Sequence, residues 1–141
     1  MKFLENKGDV DIHVFGQNKF NWKNYKGSLP PHQKDESLFP YKYSFNVENF
    51  SIKNYYTEKL IDGILSETLV FYSGCYNVKE YIDERAFVYL DLSNFENDYE
   101  IIKKAIEEDW WSQRIEYIRD AKKKILNELQ FFPRLEKIIY K

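Results

Sequence analysis

A short apolar run constrains this fold most strongly: residues 68–74 read TLVFYSG, without a charge or a proline. A strand of this kind is expected to be buried on both faces, and parallel sheets covered by helices provide that environment. Residues 57–67, TEKLIDGILSE, are predicted to form a helix that runs directly into this strand. The apolar side chains that share one face of the helix are Leu60, Ile61, Ile64 and Leu65.

Strands and helices alternate along the rest of the chain. Further strands are predicted at residues 10–15, 41–48 and 86–92. Helices are predicted at residues 1–7, at 77–82, from a cap at Asn97 or Asp98 to about 109, and through most of 110–141. This alternation predicts an α/β fold with a mostly parallel sheet and flanking helices. We predict two parts, a sheet-containing domain at 1–109 and C-terminal helices at 110–141 that pack on it or extend from it.

Charge and cysteine content restrict the function. The net charge is −2, but residues 110–141 carry 8 basic and 4 acidic residues. Acids interleave with these bases and no known nucleic-acid motif is present, so no nucleic-acid partner is expected. The basic, amphipathic C-terminal helices could contact a membrane surface, although packing on the sheet with a basic outer face is favoured.

Cys75 is the single cysteine and lies in an apolar run, which favours a buried structural thiol over a nucleophile. It excludes an internal disulfide and fits a reducing compartment. The start of the chain has no apolar signal region, so a cytoplasmic location, with possible peripheral membrane contact, is expected. His13 and His32 are not clustered at ligand spacing, and no metal site is expected.

The stretch NYYTEKL at residues 54–60 carries a specific chemical signal. Thr57 suits a helix N-cap and Glu58 suits the first turn, but Lys59 faces the positive end of the helix dipole. Backbone N–H groups and a lysine together form an anion site of the phosphate-binding type. Glu58 could then accept hydrogen bonds from sugar hydroxyls, and Tyr55 could cover a base or ribose. The alternative is that Lys59 is a solvated surface residue and Glu58 only supports the helix start.

Two neighbouring loops are expected beside this stretch, because carboxyl ends of parallel strands share one rim. They are VEN at 47–49 and YSGCYN at 72–77. The region from 41 to 92 resembles the donor-binding region of family 10 glycosyltransferases, the α-1,3/4-fucosyltransferases. It shares F-x-x-E-N, here ending at Glu48 and Asn49, and T-E-K, here residues 57–59. The preceding VDIHVFG and the helical tail also resemble this family.

The resemblance implies the C-terminal, Rossmann-like half of a GT-B fold that binds a GDP-sugar donor. It implies that Lys59 contacts the phosphates, that Glu58 contacts ribose or sugar hydroxyls, and that Tyr55 contacts the nucleotide sugar. Glu48 and Asn49 would line the same cleft. A further basic residue would neutralise the diphosphate, and the candidates in the predicted loop at 17–40 are Lys19, Lys23 and Lys26. No cofactor or metal is implied beyond the donor itself.

The sequence also departs from the family pattern. Ser73, Gly74, Cys75 and Tyr76 stand where the family has W-G-x-P, which changes the donor-site wall. The first strand and most of the first helix of the domain, the acceptor domain and the catalytic base have no evident counterpart. Exposed apolar surface would then favour self-association. Two hypotheses follow: the donor-binding domain of an inverting glycosyltransferase with a glycan acceptor when complete, or a truncated, non-catalytic paralogue that binds a sugar nucleotide or a protein.

Overall fold

Three parallel strands form the central sheet of this computed structural model, which describes residues 2–17 and 21–140. The strands of the chain are β1 (Val14–Phe15), β2 (Tyr25–Gly27), β3 (Tyr43–Val47), β4 (Leu69–Ser73) and β5 (Phe87–Tyr89). The α-helices are α1 (Lys2–Lys7), α2 (Glu58–Leu65), α3 (Phe95–Glu107), α4 (Trp110–Lys124) and α5 (Phe131–Ile139). Single 3₁₀ turns occupy Lys34–Ser37, Val78–Glu80 and Glu84–Ala86, and a π-helical segment, Ile125–Leu129, follows α4.

The sheet has the order β3–β4–β5, and both pairings are parallel. Phe71 at the centre of β4 lies opposite Phe45 of β3 and Val88 of β5. The first four residues of β4 are buried, as the apolar run predicts. The predicted α/β fold with a parallel sheet and flanking helices is therefore confirmed.

Helix α2 lies directly against this sheet. Leu60 and Ile64 are fully buried, so the predicted apolar face of the helix is confirmed. A Cβ atom on Gly63 would lie 2.5 Å from Val70 Cγ2, so only glycine permits this close approach of α2 to β4. Asn46 Nδ2 of β3 also donates to the Lys59 carbonyl oxygen at 2.9 Å. These contacts fix the start of α2 relative to β3 and β4.

The predicted strand at 10–15 is wrong over most of its length. Only Val14 and Phe15 form a strand, and they pair in parallel with β2, inside the segment predicted as loop. Just before this segment, Asp9 is held by α3, because its carboxylate accepts a hydrogen bond from the Tyr99 hydroxyl and pairs with Lys103 at 3.5 Å. Contacts with distant side chains therefore replace the ladder that the period-two pattern predicts.

Helix α3 begins earlier than predicted. Its cap is Asn94, whose Oδ1 accepts a hydrogen bond from the Asn97 N–H at 3.2 Å. Asn97 and Asp98 are therefore not the cap. Asp98 is buried and its carboxylate accepts from the Leu92 N–H at 2.9 Å, which ties α3 to the chain that leaves β5. The predicted helix at 77–82 is a single 3₁₀ turn, and β5 covers only three of the seven predicted residues.

The C-terminal helices differ in how they pack. Ile118 of α4 and Ile125 beyond it are buried, and Lys122 on the same seam pairs with Glu67 at 2.9 Å. No residue of α5 is buried, in contrast. The division at residue 109 stays a prediction. In the described ranges, no helix is long and apolar enough to cross a membrane.

Candidate functional site

The start of α2 lies at the carboxyl end of the parallel sheet, as predicted. Thr57 is the N-cap: its backbone is extended (φ −119°, ψ −172°) and its Oγ1 accepts a hydrogen bond from the Lys59 N–H at 3.3 Å. Lys59 lies in the first helical turn, and its side chain is 31% exposed. The helix N-terminus and the lysine ammonium are therefore adjacent positive elements at the end of the strands.

A buried carboxylate lies between these elements. The Glu48 side chain is fully inaccessible to solvent, and its Oε2 lies 3.4 Å from Lys59 Nζ. Glu48 Oε1 accepts a hydrogen bond from the Thr57 N–H, and Oε2 accepts one from the Thr57 hydroxyl, each at 2.8 Å. Glu48 lies directly beyond β3, and its own N–H donates to the Ser73 carbonyl oxygen at 2.8 Å, which continues the β3–β4 ladder. The pairing of β3 with β4 therefore places this carboxylate at the N-terminus of α2.

Tyr72 of β4 contacts the same carboxylate. Its hydroxyl donates to Glu48 Oε1 at 3.3 Å and accepts from the Cys75 N–H at 3.1 Å. Burial, with a further contribution from the Glu48 charge, raises the pKa of Tyr72, so the hydroxyl stays protonated and available as a donor. A Cβ atom on Gly74 would lie 2.4 Å from Glu48 Cγ, so the turn after β4 needs glycine for Glu48 to fit.

Two asparagines join the loop before α2 to the turn after β4. The Asn54 N–H donates to Asn77 Oδ1 at 2.8 Å, and Asn77 Nδ2 donates to Asn54 Oδ1 at 2.7 Å. Tyr81 Oη also donates to Asn54 Oδ1 at 2.7 Å, and the Cys75 thiol lies 3.2 Å from Asn77 Oδ1. Sequence reasoning missed this pair; the one available signal was that asparagine tolerates positive φ, which is 61° at Asn54. Cys75 is fully buried, as predicted.

The remaining predicted site residues, Asn49, Tyr55 and Glu58, are exposed. Tyr55 and Asn49 are exposed on the loops around this centre. Glu58 is exposed at the first helical position. Although partial desolvation raises its pKa, hydrogen bonds with its own N–H and with Thr57, and the charges of Lys34 and Lys59, lower it overall. Glu58 is therefore an ionised acceptor facing solvent near neutral pH.

The structure describes two of the three upstream lysines proposed to neutralise the diphosphate, and which of the three does so stays a prediction. Lys23 and Lys26 are exposed on the segment before and within β2. Lys19 lies outside the described residues, so its prediction has no structural counterpart. The described part of the chain contains no cluster of three or more His, Cys, Asp and Glu side chains that could hold a metal ion. His13 instead contacts the Tyr41 hydroxyl through Nδ1 at 2.8 Å.

A separate groove of about 480 Å³ lies between residues 9–15 and the outer edge of β3. Its walls are mainly apolar and include Phe45, Phe71 and Ile102. Thr57 and Lys59 are not among its lining residues, and β3 is an edge strand of the sheet. The groove is compatible with the predicted self-association, which stays a prediction.

These elements define the chain as an α/β protein whose parallel strands and flanking helices have a fucosyltransferase-like arrangement. The structure is similar to the crystal structure of an α1,3-fucosyltransferase with GDP, with a TM-score of 0.57 and 26% sequence identity. The match covers 67% of this chain and 28% of that one, so this chain corresponds to a minor part of the enzyme's length. No protein-family model and no curated protein sequence matches this chain.

Proposed function

We propose that this chain binds the diphosphate of a GDP-sugar donor at the N-terminus of α2, as the donor-binding part of an inverting, fucosyltransferase-like glycosyltransferase. The observation that carries the proposal is the position of Lys59 together with the helix N-terminus and the end of the sheet around it. A lysine and a capped helix N-terminus meet at the carboxyl rim of a parallel sheet, where nucleotides bind in folds of this kind. The similar fucosyltransferase was solved with GDP.

The chemistry proposed for the site is stabilisation of the leaving group. The Lys59 ammonium, beside the positive end of the α2 dipole, would hold the negative charge that develops on departing GDP. Exposed Tyr55 would cover the base or ribose, and ionised Glu58 would accept hydrogen bonds from ribose or sugar hydroxyls. Asn49 would line the same cleft. In this scheme no metal is needed, because lysine and the helix supply the positive charge.

Glu48 has a supporting role in this proposal rather than a direct contact with the donor. Its carboxylate is inaccessible and already receives hydrogen bonds from Thr57 and Tyr72. It holds the cap of α2 in place and restrains Lys59 near the rim. A diphosphate would therefore share Lys59 with Glu48, and the positive end of the α2 dipole would add to the attraction.

Calorimetric titration with GDP and UDP tests this proposal. We expect GDP to bind more tightly than UDP. Lys59→Ala should weaken GDP binding about ten-fold or more, the usual effect of removing a hydrogen bond to a charged group. The matched control is Lys53→Ala, which removes an exposed lysine six positions upstream. Equal GDP affinities for the wild type, Lys59→Ala and Lys53→Ala would reject the site.

A non-catalytic binding module is the second candidate. The observation in its favour is that neither acid at the site is placed to act as the catalytic base. Glu48 is buried in a hydrogen-bond network, and Glu58 is assigned to the donor. Inverting transfer requires a carboxylate that accepts the proton of the acceptor hydroxyl. Incubation of the chain with GDP-fucose and a lactosamine acceptor separates the two: GDP binding without transfer supports the module, and measurable transfer supports the enzyme.

A further inference from the structure

The outer edge of β3 carries main-chain hydrogen-bonding groups that have no partner among the described residues. The Lys42 carbonyl oxygen and the Glu48 N–H bond to Leu69 and Ser73 at the two ends of β4. Main-chain groups of successive strand residues point to opposite edges, so those at 43, 45 and 47 point away from β4. Within the described ranges, β3 pairs with β4 alone, and no other main-chain hydrogen bond reaches these three positions. Such an unpaired row is a template for a further strand.

The burial of β3 also indicates a missing neighbour. All five residues of β3 are only half-buried, whereas the first four residues of β4 are buried. Phe71 of β4 is 3% exposed, but Phe45, which lies opposite it on β3, is half-buried and lines the groove of about 480 Å³. The groove therefore leaves uncovered the side of the sheet where a strand next to β3 would lie.

The wall opposite β3 is formed by β1 and the residues before it. The N–H groups of Val14 and Gly16 both donate to the β2 side, at 2.9 and 3.1 Å. The main chain of Phe15, between them, therefore points away from β2, and Phe15 lines the groove. His13 Nδ1 lies 2.8 Å from the Tyr41 hydroxyl oxygen, which ties this wall to the residues before β3. The groove is thus preformed between two strand edges.

Charge complementarity indicates what the groove binds. The charged side chains that line it are three carboxylates and one lysine, from Asp9, Asp11, Glu107 and Lys103. Lys103 Nζ lies 3.5 Å from Asp9 and 3.9 Å from Glu107, so the 91% exposed Asp11 is left without a lysine. A second copy docked through the same groove would bring two acidic rims together, which is unfavourable. A strand with basic residues at its ends has the opposite charge.

We propose that this groove binds an extended, basic-flanked segment of a partner polypeptide, which adds to the outer edge of β3 as a further strand. Its alternate side chains would contact two different surfaces. One set would meet Phe45, Ile102 and Ile106, and the other would meet the polar side chains of Ser44 and Asn46. About five residues of strand would match the length of β3. The inference does not depend on the nucleotide-sugar site, and a failed GDP titration leaves it untouched.

Fluorescence anisotropy of labelled synthetic peptides added to the full chain tests the proposal. The probe is the heptapeptide KVTVTVK, whose valines and threonines fit the two surfaces and whose terminal lysines fit the acidic rim. We expect saturable binding of this peptide. The peptide EVTVTVE should bind at least about five-fold more weakly, because its ends repel the rim. A form of KVTVTVK with every internal amide N-methylated keeps the side chains but cannot pair as a strand, so it should not bind.

Substitutions in the chain test the same contacts from the other side. Asp11→Lys should weaken binding of KVTVTVK at least about five-fold and strengthen binding of EVTVTVE. The matched control is Glu100→Lys, which makes the same charge change at an exposed position of α3 outside the groove. Ile106→Ser removes a 38% exposed apolar side chain from the groove wall and should weaken binding about five-fold. Circular dichroism verifies that each variant is folded.

Hydrogen exchange measured by nuclear magnetic resonance identifies the edge that pairs. In the free chain, the N–H groups of Tyr43, Phe45 and Val47 should exchange faster than those of Ser44 and Asn46, which belong to the β3–β4 ladder. Bound KVTVTVK should slow exchange at the first three positions at least about ten-fold. Unchanged exchange there in the presence of bound peptide would overturn the proposal.

Other outcomes would overturn the proposal as well. They are no binding of KVTVTVK, equal binding of its N-methylated form, and an equal loss of binding in Asp11→Lys and Glu100→Lys. Sedimentation of the free chain tests the alternative occupant. A dimer that Ile106→Ser dissociates would make a second copy, and not a partner strand, the occupant of the groove.

Discussion

Replacement of Glu48 tests whether the buried carboxylate holds the candidate site together. Its side chain has no solvent exposure, and it receives hydrogen bonds from Thr57 and Tyr72 and an ion pair from Lys59. Glu48→Ala removes every one of these acceptors at once. The Tyr72 hydroxyl and the Thr57 N–H then lose their partner in a place that water reaches poorly.

The expected loss follows from these contacts. An unsatisfied buried donor costs about 1–3 kcal/mol, and the Tyr72 hydroxyl and the Thr57 N–H are two such donors. The third donor to Glu48, the Thr57 hydroxyl, belongs to a half-buried residue and adds less. Removal of one partner from a buried ion pair costs about 3–5 kcal/mol, but Lys59 is partly exposed and can turn to water. We therefore expect Glu48→Ala to lower the free energy of unfolding by about 3 kcal/mol. Glu48→Gln keeps the shape and one acceptor, so it should cost about 1–2 kcal/mol.

Urea unfolding monitored by tryptophan fluorescence and circular dichroism measures these values. Glu100→Ala is the control, because Glu100 is exposed on α3 and its loss should change the free energy of unfolding by less than about 0.5 kcal/mol. An unchanged slope with denaturant would show that the variants unfold in the same way. If Glu48→Ala unfolds within about 0.5 kcal/mol of the wild type, the network does not stabilise the site.

Two further substitutions probe neighbouring features. Gly74→Ala places a Cβ atom 2.4 Å from Glu48 Cγ, so we expect a loss of about 1–3 kcal/mol in the same unfolding assay; wild-type stability would refute the close approach. Asp83 accepts hydrogen bonds from the Arg85 side chain and N–H, which lower its pKa from 3.8 to about 2. Its stabilisation is therefore complete above its unfolded pKa and is lost as pH falls from about 4 to 2. Asp83→Asn should differ from the wild type by less than about 1 kcal/mol at pH 7, since the pair is exposed, and the difference should vanish near pH 2. A difference that persists at low pH would contradict this assignment.

The parts of the fold that the sequence predicts are those with strong local patterns. The apolar run at 68–74 and the amphipathic helix before it need no distant contact to be recognised, and both are confirmed. Thr57 is recognisable as a cap because its hydroxyl accepts a hydrogen bond from the N–H only two residues further along the chain. The shared rim of the loops follows from parallel pairing alone.

The parts that the sequence does not predict depend on distant partners. Residues 10–15 alternate like a strand, but Asp9 is held by Tyr99, 90 positions away, and the ladder forms only at Val14 and Phe15. Asn54 and Asn77 pair across 23 residues, and no local pattern identifies either residue as the partner of the other. The cap of α3 is Asn94, which accepts a hydrogen bond from the Asn97 N–H, and not Asn97 or Asp98. The Asp98 carboxylate instead accepts from the Leu92 N–H. Tertiary contacts therefore override local propensity at each of these positions.

Lys59 shows how the structure changes the argument for a ligand. From sequence, a lysine in the first turn of a helix needs an anion, and a diphosphate is one candidate. The structure supplies an internal anion, because Glu48 Oε2 lies 3.4 Å from Lys59 Nζ beneath the cap. Lys59 is therefore stabilised without any ligand, and its position alone does not require one.

The Lys59→Ala variant must for this reason be measured in two ways. Loss of the Glu48 ion pair should lower the free energy of unfolding whether or not a nucleotide binds. Loss of GDP affinity that persists when the internal network is relieved, in contrast, requires the ammonium to reach the phosphates. Adding Glu48→Gln to Lys59→Ala removes the unpaired buried charge and should restore part of the stability, but it should leave GDP binding weak. If the double variant instead recovers wild-type GDP affinity, Lys59 serves only the internal network, and the phosphates do not contact it.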